Sequence, residues 1–203
     1  MVTLAPSSDS LLVRGIYYHT SHYLNLPNGW AEITFQNAGI QILNGYAFKS
    51  THYVSKGIKI VRITNVQDGY VCDEDPKYYP LMQKHEIEKY MLVENDLLMS
   101  LTGNVGRVGF LPPEMIPAAL NQRVACLRGG DDVISKYYLY YYLQSELFKK
   151  DCLGSAKGVA QLNISTEWLK SYPILLPPLS EQERIVRSID SIFMILDNIN
   201  VEL

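Results

Sequence analysis

The chain has 203 residues, of which 47% are hydrophobic, and a net charge of −3 at neutral pH. The hydrophobic content is sufficient for one packed core and excludes a disordered chain. The net charge argues against a nucleic-acid partner, but the acids are unevenly distributed. Residues 177–203 carry five acids and two bases, so residues 1–176 balance at 16 of each. A basic face on this neutral body is therefore compatible with the sequence.

The cysteines and the hydropathy pattern predict a cytoplasmic protein. Cys72, Cys126 and Cys152 are odd in number, widely spaced and free of any CxxC or Cys/His pattern, which indicates reduced structural thiols and no zinc site. The N-terminal residues lack a charged start followed by an apolar run, and no segment reaches the roughly eighteen apolar residues of a membrane span. We therefore expect no membrane partner.

Short strands are predicted over the first two thirds of the chain. A turn at Asn28-Gly29 leads into the extended segment GWAEITFQNAGIQIL, and residues 57–66 (GIKIVRITNV) predict a strand. The segments NDLLMSLTG and RVGFL flank a glycine turn and predict a hairpin. RVACLRG predicts a further strand. No repeat of fixed period is present, so the pattern indicates a mixed α/β domain.

The segment SKYYLYYYLQSELFKKD predicts one helix, with Ser135 as its cap and Lys149 and Lys150 placed well for its C-terminal dipole. Its five tyrosines could stack on nucleic-acid bases. However, tyrosines at helical spacing more often pack against a sheet, and we favour packing. The segment GSAKGVAQLNIS predicts a loop before the last strand, YPILL.

A helix is predicted at the C-terminal end. Pro177 and Pro178 close the preceding strand, and Ser180 with Glu183 has the spacing of a capping box, so the helix is expected to begin at Ser180. Apolar residues then recur at spacings of 4, 3, 4, 3 and 4, which is the a/d seam of a coiled coil. The seam residues are Ile185, Ile189, Ile192, Leu196, Ile199 and Leu203. The seam requires a partner helix or, alternatively, packs back on its own domain.

Val186 and Phe193, seven residues apart, widen the apolar stripe of this helix. Packing on two sides is therefore compatible with the pattern.

Catalytic motifs are scarce. Gly103, Gly106 and Gly109 lack both the GxGxxG spacing and the Walker lysine, so we interpret them as a turn with close backbone approach. The histidines are not at metal spacing; they are His19, His22, His52 and His85. The sequence has no nucleophile elbow, HExxH or methyltransferase signature. We predict a protein that is not an enzyme and takes no cofactor.

Six segments, in order, resemble the target recognition domain of specificity subunits of type I restriction-modification systems. They are LPNGW, NGYAFKSTHYVSKGIKIVRITNV, ENDLLMSLTGNVGRVGFL, LNQRVACLR, YYLYYYLQSELF and GSAKGVAQLNISTEWLKSYPILLPPLSEQERIVRSID. The resemblance covers Leu26 to about Leu196. It implies a non-catalytic subunit that reads a split DNA sequence through two such domains. A long helix follows each domain, and the two helices pair as a coiled-coil spacer that docks methyltransferase subunits.

The resemblance also implies boundaries and partners. We expect an N-terminal segment over residues 1–25, a DNA target recognition domain with a twisted mixed sheet and flanking helices over residues 26–178, and the spacer helix over residues 179–203. The implied partners are double-stranded DNA, methyltransferase (modification) subunits and, through the complex, a restriction subunit. The C-terminal helix would bind a second copy or a second recognition domain.

A full subunit of this family would be about twice as long as this chain. The chain is then either a half-subunit that dimerises through its helix or a fragment of a longer protein. Met1 favours a genuine start, whereas the end at Leu203, part-way through a heptad, favours truncation.

DNA-contacting residues are expected in loops, because Arg, Lys, Asn and Gln read base edges, while Ser, Thr, Lys and backbone amides hold phosphates. The candidates are Tyr46, Lys49, Ser50, Thr102, Asn104, Arg107, Asn121, Gln122, Arg123, Lys157 and Gln161. Asn121 and Gln122 directly precede a strand and have a structural alternative, which is to satisfy buried backbone. A second functional class stays open: a protein-interaction or assembly module that acts through the C-terminal amphipathic helix without binding DNA.

Overall fold

A computed structural model gives the fold of residues 26–130, 132–158 and 161–201. The described residues form ten strands and four α-helices, which confirms the mixed α/β class. The strands are β1 (Ala31–Thr34), β2 (Gln41–Asn44), β3 (Ile58–Val61), β4 (Tyr78–Tyr79), β5 (Met91–Leu92), β6 (Leu97–Ser100), β7 (Val108–Phe110), β8 (Ala118–Leu120), β9 (Val124–Arg128) and β10 (Pro173–Leu176). The helices are α1 (Lys136–Gln144), α2 (Glu146–Ser155), α3 (Thr166–Ser171) and α4 (Leu179–Val201). The predicted N-terminal segment lies outside the described residues.

The strands form three sheets. The first sheet is antiparallel and has the strand order β2-β9-β6-β7. The second sheet has the order β4-β3-β8-β5, and within it β3 and β8 are parallel. Strands β1 and β10 form a two-stranded ribbon. The predicted hairpin is confirmed, since β6 and β7 pair with Leu97 opposite Phe110. The strand predicted at RVACLRG is confirmed as β9.

Two predicted extended segments are shorter than expected. Strand β3 ends at Val61 because the next amide, that of Arg62, donates to the Asn65 side chain at 2.9 Å, and this bond closes a turn. The segment GWAEITFQNAGIQIL is divided between β1 and β2, which belong to different sheets. The division falls at a turn that ends in Gly39, whose φ is +77°.

The single helix predicted over SKYYLYYYLQSELFKKD is wrong, because the structure divides it into α1 and α2. Ser145 between them has an extended backbone with ψ of 147°, and its hydroxyl accepts a hydrogen bond from the Phe148 amide at 3.3 Å. Ser145 therefore ends one helix and caps the next. Ser135 precedes α1 as expected, but its side chain makes no capping hydrogen bond there.

Most tyrosines of α1 pack against the domain, as favoured from the sequence, whereas Tyr137 is 50% exposed. Tyr138 is buried, and its hydroxyl donates to the Leu175 carbonyl at 2.7 Å, which joins α1 to β10. The Tyr140 hydroxyl donates to the Gly69 carbonyl at 2.8 Å. The surrounding core contains Phe148 and lies between the β2-β9-β6-β7 sheet, the ribbon and helices α1 to α3. The tyrosine run is thus part of the fold.

Helix α4 begins at Leu179, one residue before the predicted start. The carbonyl of Pro178 accepts the first helical hydrogen bond, from the Gln182 amide at 3.0 Å. Ser180 therefore lies inside the first turn and does not occupy the cap position, so the capping-box prediction is wrong. None of the helices in the described ranges is long and apolar enough to cross a membrane.

Substitution of Gly45 is expected to destabilise the domain. A Cβ atom on Gly45 would lie 2.2 Å from the backbone carbonyl carbon of Asn121, a separation that requires the two segments to move apart. We expect Gly45→Ala to lower the free energy of unfolding by about 1–3 kcal/mol or more. Thermal denaturation measures the loss.

Gly154→Ala is the matched control for this prediction. Gly154 lies in α2 with no neighbouring atom within 4 Å of an added Cβ. Alanine there should leave stability unchanged or raise it by up to about 1 kcal/mol. Equal melting temperatures for the two variants would contradict the close approach at Gly45.

Candidate nucleic-acid interface

Four loops lie side by side at one end of the β2-β9-β6-β7 sheet. Because neighbouring strands are antiparallel, the end of β2, the start of β9 and the end of β6 lie at the same end of the sheet. Backbone hydrogen bonds join the loops: Gln122 donates to the Tyr46 carbonyl at 3.1 Å, and Gly103 donates to the Leu162 carbonyl at 2.9 Å. We call this surface the loop face: Tyr46, residues 102–104, residues 121–123 and the described residues of 157–163.

The last of these loops is closed on itself. Lys157 and Asn163 pair as an antiparallel bridge, and the Thr102 hydroxyl donates to the Asn163 side chain at 2.8 Å. Gly158 has a φ of +122°, and a Cβ there would lie 2.2 Å from the Gln161 carbonyl oxygen. Only glycine fits this position. The loop is therefore held against the hairpin, with Lys157 exposed.

The predicted DNA-contacting residues divide by exposure. The exposed ones are Lys49, Ser50, Asn104, Gln122, Arg123, Lys157 and Gln161. Thr102 and Asn121 are buried, and the Asn121 side chain accepts a hydrogen bond from the Arg123 amide at 3.2 Å. Asn121 thus has the structural role that was the alternative for it in the sequence. The Gln122 side chain makes no hydrogen bond to any described residue.

Two further candidates are partly engaged. Arg107 is half-buried, and its guanidinium donates to the Gln67 side chain at 3.0 Å. Tyr46 is half-buried, and its ring packs at 5.0 Å from the ring of Phe48. Lys49 and Ser50 follow Phe48 and lie beyond the loop face as defined above.

Uncompensated positive charge is present among the exposed candidates. Within the described ranges, Lys49, Arg123 and Lys157 form no ion pair. The exposed cations are therefore available to phosphate groups.

The hairpin glycines are required by the backbone geometry, as interpreted from the sequence. Gly103 and Gly106 have φ values of +73° and +83° in the turn of the hairpin. A Cβ on Gly109 would lie 2.4 Å from the carbonyl carbon of Tyr70. These positions provide turns and close backbone approach.

The described part of the chain holds no cluster of side chains that could bind a metal ion. No three His, Cys, Asp or Glu side chains of the described residues are grouped so that they could hold a metal; His19 and His22 lie outside them. Burial, with a smaller contribution from Asp96, raises the pKa of Cys126 to about 12, so this thiol is protonated at neutral pH.

Gln182 anchors α4 to the domain, a role that its sequence pattern does not indicate. The side chain is fully buried; it accepts from the Ser135 amide at 2.8 Å and donates to the carbonyls of Val133 and Pro177 at 3.0 and 2.9 Å. A glutamine among charged residues of an amphipathic helix is expected to face solvent, so periodicity does not reveal it. Its three bonds fix where α4 leaves the domain.

Replacement of Gln182 tests this anchor. Gln182→Leu removes all three hydrogen bonds and leaves the amide and two carbonyls without these partners. We expect a loss of about 2–4 kcal/mol in the free energy of unfolding, which lowers the melting temperature by roughly 5–15 °C. The control is Glu183→Leu, an exposed position one residue on, with an expected change of no more than about 0.5 kcal/mol. Equal effects of the two variants in thermal denaturation would exclude the anchoring role.

The seam of α4 has two parts. Ile185 and Val186 pack against the main core, and Ile189 and Phe193 line a groove of about 480 Å³ between α4 and α1. The Tyr141 ring stacks on Phe193, with ring centroids 6.3 Å apart.

The outer part of the seam is exposed. The exposed fractions of Ile192, Leu196 and Ile199 are 57%, 48% and 50%. At about 100° per residue these three side chains share one side of the helix. Leu203 lies outside the described residues. The first half of α4 thus packs on its own domain, while the second half presents an unoccupied apolar side.

Residues 31–203 match the type I restriction modification DNA specificity domain. The chain belongs to this family, which confirms the resemblance found in the sequence.

Individual relatives agree with this family. The chain is 31% identical over 172 residues to the type I restriction enzyme EcoAI specificity subunit of Escherichia coli, covering 82% of this chain and 29% of that protein. It is 28% identical over 190 residues to the type I restriction enzyme MjaVIII specificity subunit of Methanocaldococcus jannaschii, covering 90% of this chain and 44% of that protein. Both relatives are named as specificity subunits, in agreement with the predicted non-catalytic class.

Solved structures share the fold. A chain from a structure of the type I restriction-modification system aligns with a TM-score of 0.67 at 22% identity, covering 88% of this chain and 42% of that chain. The HsdS subunit from Thermoanaerobacter tengcongensis aligns with a TM-score of 0.63 at 21% identity, covering 87% and 40%. This chain thus spans less than half the length of these relatives and structures.

Proposed function

We propose that this chain is a DNA-reading component of a type I restriction-modification complex and contacts one half of a bipartite target through its loop face. The observation that carries the proposal is the set of exposed, uncompensated cations on and beside loops that backbone hydrogen bonds hold together. Membership of the DNA specificity domain family supports it. The component reads DNA and leaves methylation and cleavage to other subunits.

The loop face offers two kinds of contact to a duplex. Lys49 and Lys157 carry exposed charges suited to phosphates, and they would set the register of the protein on DNA. Asn104, Gln122 and Arg123 present the amide and guanidinium groups that pair with base edges. Sequence preference would therefore come from the hairpin turn and the turn before β9.

Helix α4 supplies the assembly surface in this proposal. Its exposed side, with Ile192, Leu196 and Ile199, has the spacing of a coiled-coil seam and borders the part that packs on the domain. Its partner would be the equivalent helix of a second copy or of a second recognition domain. Methyltransferase subunits would dock on the paired helices, and a restriction subunit would join through the complex.

The salt dependence of binding distinguishes this proposal from the alternative of an assembly module that does not bind DNA. A DNA-binding loop face releases counterions from phosphates, so affinity for duplex DNA should fall steeply as salt rises. The affinity of a contact between isoleucine and leucine side chains should depend little on the salt concentration. Fluorescence anisotropy of a labelled duplex with the full chain, at several salt concentrations, provides the measurement. Absence of DNA binding at low salt, together with salt-independent self-association, would favour the assembly module.

A further inference from the structure

An aromatic cluster with an adjacent cation borders the loop face. The ring of Tyr46 lies 5.3 Å from the ring of Tyr90, centroid to centroid, and 5.0 Å from that of Phe48. The Lys89 ammonium lies 5.0 Å from the centroid of the Tyr90 ring. The two half-buried tyrosines pack against a buried cluster that contains Phe48 and Tyr79.

Strand pairing places this cluster beside the turn that precedes β9. Tyr90 directly precedes β5, and β5 pairs antiparallel with β8 with Met91 opposite Ala119. The Tyr46 amide donates to the Leu120 carbonyl at 2.8 Å, and the Tyr46 carbonyl accepts from Gln122. The cluster and the loop face therefore form one continuous surface.

The polar atoms of the cluster have no hydrogen-bond or ion-pair partner among the described residues. The hydroxyls of Tyr46 and Tyr90 make no hydrogen bond within the described part of the chain, whereas the hydroxyl of the fully buried Tyr79 donates to Glu86 at 2.9 Å. Lys89 is exposed and forms no ion pair with a described acid, including its neighbour Glu88. Two half-buried tyrosine rings and an exposed ammonium thus lie next to one another beside the loop face.

The geometry favours a phosphate over a nucleobase as the ligand. Stacking of a base requires an open ring face, but Lys89 covers one face of Tyr90, and Tyr46 packs against the same ring at 51°. Hydroxyl and ammonium groups are the donors that proteins direct at the DNA backbone.

We propose that Tyr46, Lys89 and Tyr90 form a phosphate-binding site that extends the loop face beyond Gln122. This inference rests on the proposed function, and it adds Lys89 and Tyr90 to the DNA-contacting surface. The site would fix the position of the backbone next to the bases that Gln122 and Arg123 read. Its contribution should be the same for every DNA sequence.

Two single variants test the site with the full chain and a random-sequence duplex. Lys89→Ala should weaken binding and reduce the slope of log K against log salt by roughly one unit. Tyr90→Phe keeps the ring and loses only the hydroxyl, so affinity should fall by about tenfold, as for the loss of a hydrogen bond to a charged group. Because the packing is unchanged, the melting temperature of Tyr90→Phe should equal that of the wild type.

Matched controls separate charge and hydroxyl effects from general ones. Lys170→Ala removes the same charge from α3, where Lys170 pairs with Glu167, and should leave the salt slope unchanged. Tyr79→Phe removes a hydroxyl bonded to Glu86 inside the fold. It should lower the melting temperature without changing affinity at a temperature where the protein is folded.

The outcomes distinguish this inference from the function on which it rests. Wild-type binding with a lower slope for Lys89→Ala and weaker binding for Tyr90→Phe would support the site. If the wild type binds DNA and both variants match the Lys170→Ala control, the site is wrong while DNA reading stands. If the wild type binds no duplex at any salt concentration, the proposed function fails and the site with it.

Discussion

Aspartate at both Ile192 and Leu196 is expected to abolish self-association or methyltransferase docking while the recognition domain stays folded. Both side chains are about half exposed, so the core of the domain does not depend on them. A partner helix would bury them, and each buried apolar side chain contributes on the order of 1.5–3 kcal/mol. Loss of two, with two unpaired carboxylates added, should weaken association by about two orders of magnitude or more.

Light scattering measures self-association, copurification measures docking, and a melting curve measures the domain. The control is the pair Ser191→Asp and Asn198→Asp, which adds the same charge to the same helix at exposed positions away from the seam. This control should associate as the wild type does. A lower melting temperature for the seam variant, without any change in assembly, would contradict the account and mean that the outer half of α4 packs on its own domain.

Replacement of Lys49, Arg123 and Lys157 by alanine is expected to weaken binding to every DNA sequence. The three side chains are exposed, and in the described structure none is paired with an acid. Each lost phosphate contact should lower the salt slope by roughly 0.9 units, so the loss of Lys49 and Lys157 should lower it by about two units, and the loss of Arg123 removes a base-edge contact in addition. Arg107 is not replaced in this variant because its guanidinium already donates a hydrogen bond to the Gln67 side chain.

Anisotropy titrations at several salt concentrations measure this slope. The matched triple control is Lys77→Ala, Lys149→Ala and Lys170→Ala, which removes the same net charge from lysines already paired with Asp75, Asp68 and Glu167. If both triple variants lowered the slope equally, the effect would come from net charge, and the loop face would not be the binding surface.

Local features of the fold are predictable from the sequence. The hairpin follows from glycines between two apolar segments, and Gly103 and Gly106 do adopt the left-handed conformation that such a turn requires. The tyrosine packing follows from helical spacing. In both cases the signal lies within a few neighbouring residues.

Features that depend on distant partners are not predictable in this way. The break at Ser145 interrupts a segment whose composition suits one helix, and the break arises because Ser145 caps α2 while both helices pack on the same core. Gln182 is buried only because residues 133–135 and Pro177 surround it with amide and carbonyl groups.

The arrangement of the loop face also depends on distant partners and is not predictable from local sequence patterns. Bonds such as Gly103 to Leu162 and Gln122 to Tyr46 join residues that are far apart in the chain, so no spacing rule reveals them. The family resemblance, and not periodicity, indicated which loops to consider. Lys89 and Tyr90, which we propose as part of a phosphate site, precede a two-residue strand and carry no motif that would indicate them in the sequence.

Mapping of methylated bases across the genome, with and without this gene, tests the central claim most directly. If the chain directs a type I methyltransferase to DNA, methylation at one bipartite motif should disappear when the gene is deleted and return when it is restored. The restored gene with alanine at Gln122 and Arg123 should fail to return the original motif. Identical methylation maps with and without the gene would contradict the account.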